Sequence, residues 1–328
     1  MVRMKDIARK LNLSQTTVSH VLTGKHEHYR ISPATVERVR KAAEELGYRS
    51  SALARAFRDR RSYSVALAVE DLTNPFWTGV AIGAEREAEA EGYVLVVSNT
   101  GGNAERERRV IRMLQEHRVD GLIVSPVTVT DRLLTELRAE GRPFLQIDRS
   151  VKGVDIPCVR TDHVAGSAMA VDHLVRRGRP DIAFVCGPQN VQTYQLRLEG
   201  FRKAVERHGL KRTTTAVLDA ATAEQAQAAV RKLLDARPRP TALYVGNIWM
   251  TLGALRAVRA AGLSVPGDLE IVGFDDIAEA DLLSLPVSTI VQDVEAIGRE
   301  SFRTLLKLMS GEKPPREVLL APRLQARP

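Results

Sequence analysis

Near the N-terminus, five hydrogen-bonding side chains fall within six positions: Gln15, Thr16, Thr17, Ser19 and His20. Amides, hydroxyls and an imidazole of this reach match the donors and acceptors on base edges in the major groove of a DNA duplex. They need a helix that turns them outward together. Val18, Val21 and Leu22 interleave with them at helical spacing, so one face is polar and the other apolar. A short amphipathic helix over 4–11 precedes this stretch, and the break holds Asn12, a residue type that enters a left-handed turn at low cost. Ile7, Ala8, Leu11, Leu13, Val18, Val21 and Leu22 then form one small core between two crossed helices. The pattern is a helix-turn-helix with an outward recognition helix.

The charge distribution points the same way. The chain of 328 residues has 48 Lys+Arg, 40 Asp+Glu and a net charge of +8. Residues 1–61 hold 14 basic and 6 acidic residues, so the whole excess sits beside the recognition helix, and the remainder is neutral. Confined positive charge of this kind neutralises phosphates.

A chain this long suits two or three domains, and its hydrophobic fraction of 44% is that of a folded protein. No apolar run reaches the length of a membrane span, and the charged N-terminus does not read as a secretory signal. A cytoplasmic location with no membrane partner is expected. The only two cysteines, Cys158 and Cys186, lie in apolar runs and read as buried reduced thiols.

After the recognition helix, Ser32-Pro33 reads as N-cap and first turn of a third helix whose stripe is Val36, Val39, Ala43 and Leu46, ended by Gly47. Residues 1–48 are therefore a three-helix, all-α head. The basic, small-residue segment 49–61 has room for two helical turns over 52–58, too short to be stable without a partner. From Tyr63 onward, strand-then-helix units repeat. Strands are expected at 65–69, 94–98, 121–125 and 144–147, with helices near 76–91, 104–117 and 131–140. The series restarts with a helix capped at or near Asp162, strands at 182–186, 217–218, 242–245 and 269–274, and a helix over 193–208. Continuous apolar strands alternating with helices predict parallel sheets covered on both faces. Two such series predict an α/β core, 62–328, of two doubly wound subdomains. Their expected extents are about 62–160 plus 291–320, and about 161–290. A ligand would lie between them, beyond the carboxyl ends of the strands, at 70–76, 98–101, Ser125, Asp148, Gly187, Gly246-Asn247 and Asp275.

The segments KDIARKLNLSQTTVSHVL, TVERVRKAAEELGY, ALARAFR, NPFW, VDGLIVSP, QIDR, TDHVAG, RLEGF, ALRAVRAAGLSVPGD and IVGFDD occur in this order over nearly the whole chain. In order and spacing they resemble the lactose/purine-repressor family of bacterial transcription regulators. The resemblance implies a helix-turn-helix head, a hinge helix at 49–61 and a core like a periplasmic sugar-binding protein. It also implies a homodimer on a pseudo-palindromic double-stranded operator and a small-molecule effector, a sugar or sugar phosphate. Gln15 and Thr16 match the principal base-reading positions of the family, followed by Thr17, Ser19 and His20. Thr17 and Ser19 serve either as phosphate contacts or as caps. His20 suits a purine N7, with a solvated surface His as the alternative. His26, His28 and Arg30 lie in a turn of the fructose- and sucrose-regulator type, within reach of the DNA backbone.

In the hinge, Ser50 and Ser51 replace the Pro and Asn of the family pattern. Phe57 stands where relatives carry a Leu that wedges into the minor groove; the alternative is packing on the core. Ala54 is small enough for two hinge helices to approach. For the effector, the resemblance implies Phe76 and Trp77 as an aromatic wall, with core packing as the alternative for Trp77, and Asp148, Arg197, Asn247 and Asp275 as polar contacts. For these four the alternative is a cap or an intersubdomain ion pair. Ile248 and Ala220-Ala221 depart from the family, which often has Asp and an aromatic there. Arg149 beside Asp148 adds positive charge that, with Arg197, would suit an anionic sugar.

Three other readings follow from the same residues. A transport solute-binding protein owns the same core, but the basic head argues against it. An architectural DNA binder lacks sequence preference. An enzyme needs a nucleophile elbow, a phosphate-binding glycine loop or metal-spaced His/Cys, none of which the sequence carries. No catalytic residue, cofactor or metal is expected.

Overall fold

The computed structural model describes residues 2–48, 61–127, 132–151, 153, 155–219, 221–278, 280 and 286–327. The chain divides into two compact units, Met1–Ser62 and Tyr63–Pro328. The hinge segment expected at 49–61, with Ala54 and Phe57, lies outside the described residues except for Arg61.

The first unit contains α1 (Met4–Leu11), α2 (Gln15–Leu22) and α3 (Pro33–Glu45). Asn12 ends α1 in the left-handed region at φ 52°, and its N–H bonds the carbonyls of Ala8 and Arg9. Ser14 caps α2 by accepting from Thr17 N, and Ser32 caps α3 by accepting from Thr35 N with Pro33 in the first turn. Ile7, Ala8, Val18, Val21, Val36, Val39, Ala42 and Ala43 make the core of this unit.

The second unit begins with β1 (Ser64–Val69), α4 (Pro75–Ala90), β2 (Val94–Asn99), α5 (Ala104–Glu116), β3 (Gly121–Val124), α6 (Arg132–Ala139), β4 (Phe144–Ile147) and β5 (Cys158–Thr161). A second series follows: α7 (His163–Arg176), β6 (Ile182–Cys186), α8 (Gln192–Arg207), β7 (Thr213–Val217), α9 (Ala223–Asp235), β8 (Ala242–Val245), α10 (Ile248–Ala260), β9 (Glu270–Phe274) and β10 (Ser288–Val291). The chain then returns through α11 (Val294–Met309) and β11 (Glu317–Leu320) to β12 (Arg323–Gln325). The sheet orders are β11-β5-β4-β3-β1-β2 and β12-β10-β9-β8-β6-β7. All pairings are parallel except β10 with β12. Both sheets share one winding, and strand order reverses at β1 and at β6, so each has a crevice beyond its carboxyl edge.

Strand β7 runs Thr213–Val217 rather than 217–218, and β5, β10, β11 and β12 fall where no strand was expected. These strands are short and carry polar residues, so their apolar signal is weak. In β5, Arg160 is buried because its Nε and Nη2 donate to Glu317 Oε1 of β11, at 2.9 and 2.6 Å. Both cysteines are free and buried. Burial pushes the Cys186 thiol up to about 11 and the Cys158 thiol further, so neither is a thiolate at neutral pH. No helix among the described residues is long and apolar enough to cross a membrane.

Candidate functional site

On the head, Gln15 and Thr16 are exposed at the start of α2, whereas Thr17, Ser19 and His20 are half-buried. Thr17 Oγ1 lies 2.8 Å from Ser14 Oγ, so its hydroxyl is part of the cap. His20 stacks on Tyr29, with ring centroids 3.6 Å apart and planes 18° apart, and His28 meets Tyr29 edge-on at 4.8 Å. Tyr29 is a residue that sequence reasoning missed, since nothing local couples a turn aromatic to a ring nine positions earlier. Arg30 is exposed with φ 50°.

The core holds a cavity of about 380 Å³ beyond the carboxyl edges of both sheets. Phe76, Trp77, Asp148, Arg197, Asn247 and Asp275 all line it, so residues up to 199 positions apart in sequence meet there. Ser125 and Gly187 do not. Trp77 lines the cavity but is only 1% exposed and packs edge-on against Phe76 at 4.7 Å, so the core-packing alternative and the wall position coexist. Tyr194, another residue the sequence did not single out, joins Phe76 and Trp77 in the aromatic lining. Asn247 caps α10 through Met250 N and donates from Nδ2 to the Tyr194 hydroxyl at 2.9 Å, which orients the ring. The cap role and the cavity position therefore coexist. Asp148 and Asp275 follow the fourth strand of their respective series, and both adopt positive φ, 65° and 74°. Asp tolerates this region better than most residues, and strain held at two equivalent points of a crevice marks a site.

Arg197 lies 3.7 Å over the Phe274 ring, donates to the Gly246 carbonyl, and donates from Nε to His163 Nδ1 at 3.4 Å. That bond leaves the His163 proton on Nε2, which faces Asp148 Oδ1 at 3.5 Å. Burial pushes His163 down to about 4, more strongly than Asp148 pulls it up, so the ring is neutral. Burial acts to raise the Asp148 carboxyl, but the His163 hydrogen bond and the charges of Arg149 and Arg197 outweigh it and hold it low. Burial wins at Asp275, whose carboxyl is raised despite Arg197 and the Gln292 Nε2 hydrogen bond at 2.5 Å. Arg149 is buried beside Glu70, with Nη2 to Oε1 at 2.5 Å. Among the described residues no group of three His, Cys, Asp or Glu is placed to hold a metal ion.

Comparison with known proteins now bears on both units. The profile described as bacterial regulatory proteins, lacI family, matches residues 3–51, and that of a periplasmic binding protein-like domain matches residues 171–328. The HTH-type transcriptional repressor PurR of Vibrio campbellii is 32% identical over 97% of this chain and 95% of its own length. The chain belongs to the LacI family. The ribose operon repressor of Escherichia coli is likewise 32% identical, over 93% of this chain and 92% of its own. The Lac repressor dimer bound to operator and the anti-inducer ONPF superposes with a TM-score of 0.88 at 28% identity, covering 99% and 98% of the two chains. As a LacI-family member, the chain is a DNA-binding transcriptional regulator with a ligand-binding core. Ile248 is buried against Ile277 and Ala280 and brings no carboxylate to the cavity, and Ala221 lines it without an aromatic ring.

The buried neutral His163 makes the core acid-sensitive. Its folded value, about 4, lies below the ordinary 6.5, so the unfolded chain takes up the proton first as pH falls. The stability is complete above pH 6.5 and is lost between pH 6.5 and about 4, on the order of 3 kcal/mol. Asp275, raised above its ordinary 3.8, acts with the opposite sign as pH rises from 3.8 through its folded value. Urea unfolding of wild type and His163→Gln across this range should show a flatter pH dependence in the variant. Parallel curves would disprove the assignment.

Proposed function

We propose that the chain is a homodimeric, cytoplasmic repressor that binds a pseudo-palindromic operator and is controlled by a small carbohydrate held in the core cavity. In this reading residues 1–48 read DNA, 49–61 form the hinge, and 62–328 form the sensing and dimerising core. Gln15, Thr16 and His20 contact base edges, Ser19 and Arg30 contact phosphates, and Thr17 caps the helix. Phe57 wedges the minor groove, with Ala54 at the contact between hinge helices. Phe76 and Tyr194 stack on the effector, while Asp148, Asp275 and Arg197 bind its hydroxyls. Asn247 sets the position of Tyr194, and Trp77 supports Phe76. The chain carries out no turnover in this reading.

The observation that carries it is the cavity: two equivalent carboxylates and one guanidinium edge beside an aromatic surface, the arrangement that vicinal hydroxyls on an apolar ring face require. The CelR regulator, solved as a complex with cellobiose, is 29% identical and matches with a TM-score of 0.73, which supports a sugar as the effector class. Dimerisation is supported by the sheet edge at β2, where Val94 is 65% exposed and Val96 and Val97 are also exposed, on an apolar strand with no outer neighbour among the described residues.

Selection of bound duplexes from a random library should return an inverted repeat. With His20→Ala, preference should relax at one symmetric pair of positions, at a cost of about 1–3 kcal/mol. A selection without any repeat would reject specific binding. A uniform loss of affinity would make His20 a positioning contact.

A further inference from the structure

The cavity is built around charge as much as shape. Six charged side chains line it among the described residues: Glu70, Asp71, Asp148 and Asp275 against Arg149 and Arg197. The two guanidiniums are not equally available. Arg149 Nη2 is taken by Glu70 at 2.5 Å, Nη1 donates to the Pro126 carbonyl at 3.4 Å, and Nε has no hydrogen bond, with Asp148 Oδ2 at 3.5 Å. Arg197 is spread between Gly246, His163 and the Phe274 ring. A phosphate entering this space would meet an excess of negative charge and no uncommitted guanidinium fork. Glu70 follows β1 and Arg149 lies just beyond β4, so both sit on the same carboxyl edge of one sheet and the pair does not depend on how the two sheets are spaced.

We propose that Glu70 is a charge gate: by occupying Arg149 it makes the cavity accept an uncharged polyhydroxyl ligand and refuse the phosphate ester of the same sugar. This rests on the carbohydrate reading above for the identity of the ligand, but not for the behaviour of the gate. Removing the Glu70 carboxylate frees the Nη2 edge of a buried guanidinium whose remaining carboxylate, Asp148, lies 3.5 Å from Nε without a hydrogen bond, and an anion can then take the vacated edge.

Isothermal titration of the full-length protein tests this, with ribose, glucose and fructose, their phosphate esters, and inorganic phosphate. For any of these sugars that binds, the wild-type protein should bind the ester at least about tenfold more weakly than the parent sugar. That comparison needs no variant. Glu70→Gln, checked for folding by circular dichroism, should gain about tenfold or more in affinity for phosphate and for the esters. The double variant Glu70→Gln/Arg149→Gln should lose that gain. Wild type preferring an ester over its parent sugar overturns the proposal, as does a folded Glu70→Gln that gains nothing for phosphate. Phosphate gain in Glu70→Gln with no sugar bound by either protein upholds the gate and rejects the carbohydrate reading. Sugar binding without phosphate gain does the reverse.

Discussion

An Arg197→Ala variant is expected to lose the effector response together with about 3 kcal/mol or more of core stability. The side chain is buried, and three groups depend on it. The Gly246 carbonyl and His163 Nδ1 lose their donor, and each unsatisfied buried polar atom costs about 1–3 kcal/mol. The Phe274 face loses a cation 3.7 Å away, worth about 1–2 kcal/mol when desolvated. Asp148 and Asp275 also lose a shared positive neighbour, so both carboxyls shift upward. A core unit of this size should then unfold roughly 6–12 °C lower. Operator binding without effector should stay near wild type, because the reading helix belongs to the separate first unit. Differential scanning calorimetry and anisotropy of labelled operator, with and without a bound sugar, measure both effects. Unchanged unfolding, or a retained response, would remove Arg197 from the role given to it here.

The second large effect is expected at Gly298→Ala. Gly298 lies on α11 where that helix packs on α4, and a Cβ there would stand 2.1 Å from the Val80 carbonyl oxygen and 2.6 Å from Ala84 N. From the other side, a Cβ on Gly83 would stand 2.1 Å from the Glu295 carbonyl oxygen. Helix propensity favours Ala over Gly by about 1 kcal/mol, so an open position would gain from this change. The neighbours here are main-chain atoms, which cannot rotate away, and overpacking of a closed interface costs about 1–3 kcal/mol, occasionally more. The steric cost wins, with net destabilisation of about 2 kcal/mol and a fall of roughly 4–8 °C in unfolding temperature. A variant as stable as wild type would mean that α4 and α11 separate freely.

Much of the architecture is legible locally. Asn12, Ser14, Ser32-Pro33, Asp162 and Asn247 each act on their own helix end, and the side chain or turn they provide reaches only a few residues. The buried strands β1, β3, β4, β6, β8 and β9 are mostly apolar because both faces are covered. The polar strand β7, with three successive threonines, and the returning strands β11 and β12 lack that signal. Their existence depends on an edge already built for them, as Arg160 and Glu317 illustrate across β5 and β11.

The site divides along the same line. Strand ends and the family motifs were enough to assemble Phe76, Asp148, Arg197, Asn247 and Asp275 as cavity residues. They were not enough to find Tyr194, whose ring is set by Asn247 from another helix, or Tyr29, which backs His20. They also suggested two arginines free for an anion, whereas Glu70 occupies Arg149 from 79 positions away. The sequence alone determined the order of the helices and buried strands, the caps, the segregation of positive charge to the first 61 residues and the residue types delivered to the crevice. Only the tertiary structure decided which of those side chains remain available to a ligand. Periodicity and capping are short-range properties that repeat along the chain, whereas a buried charge takes its partner from whatever the fold brings within a few ångströms.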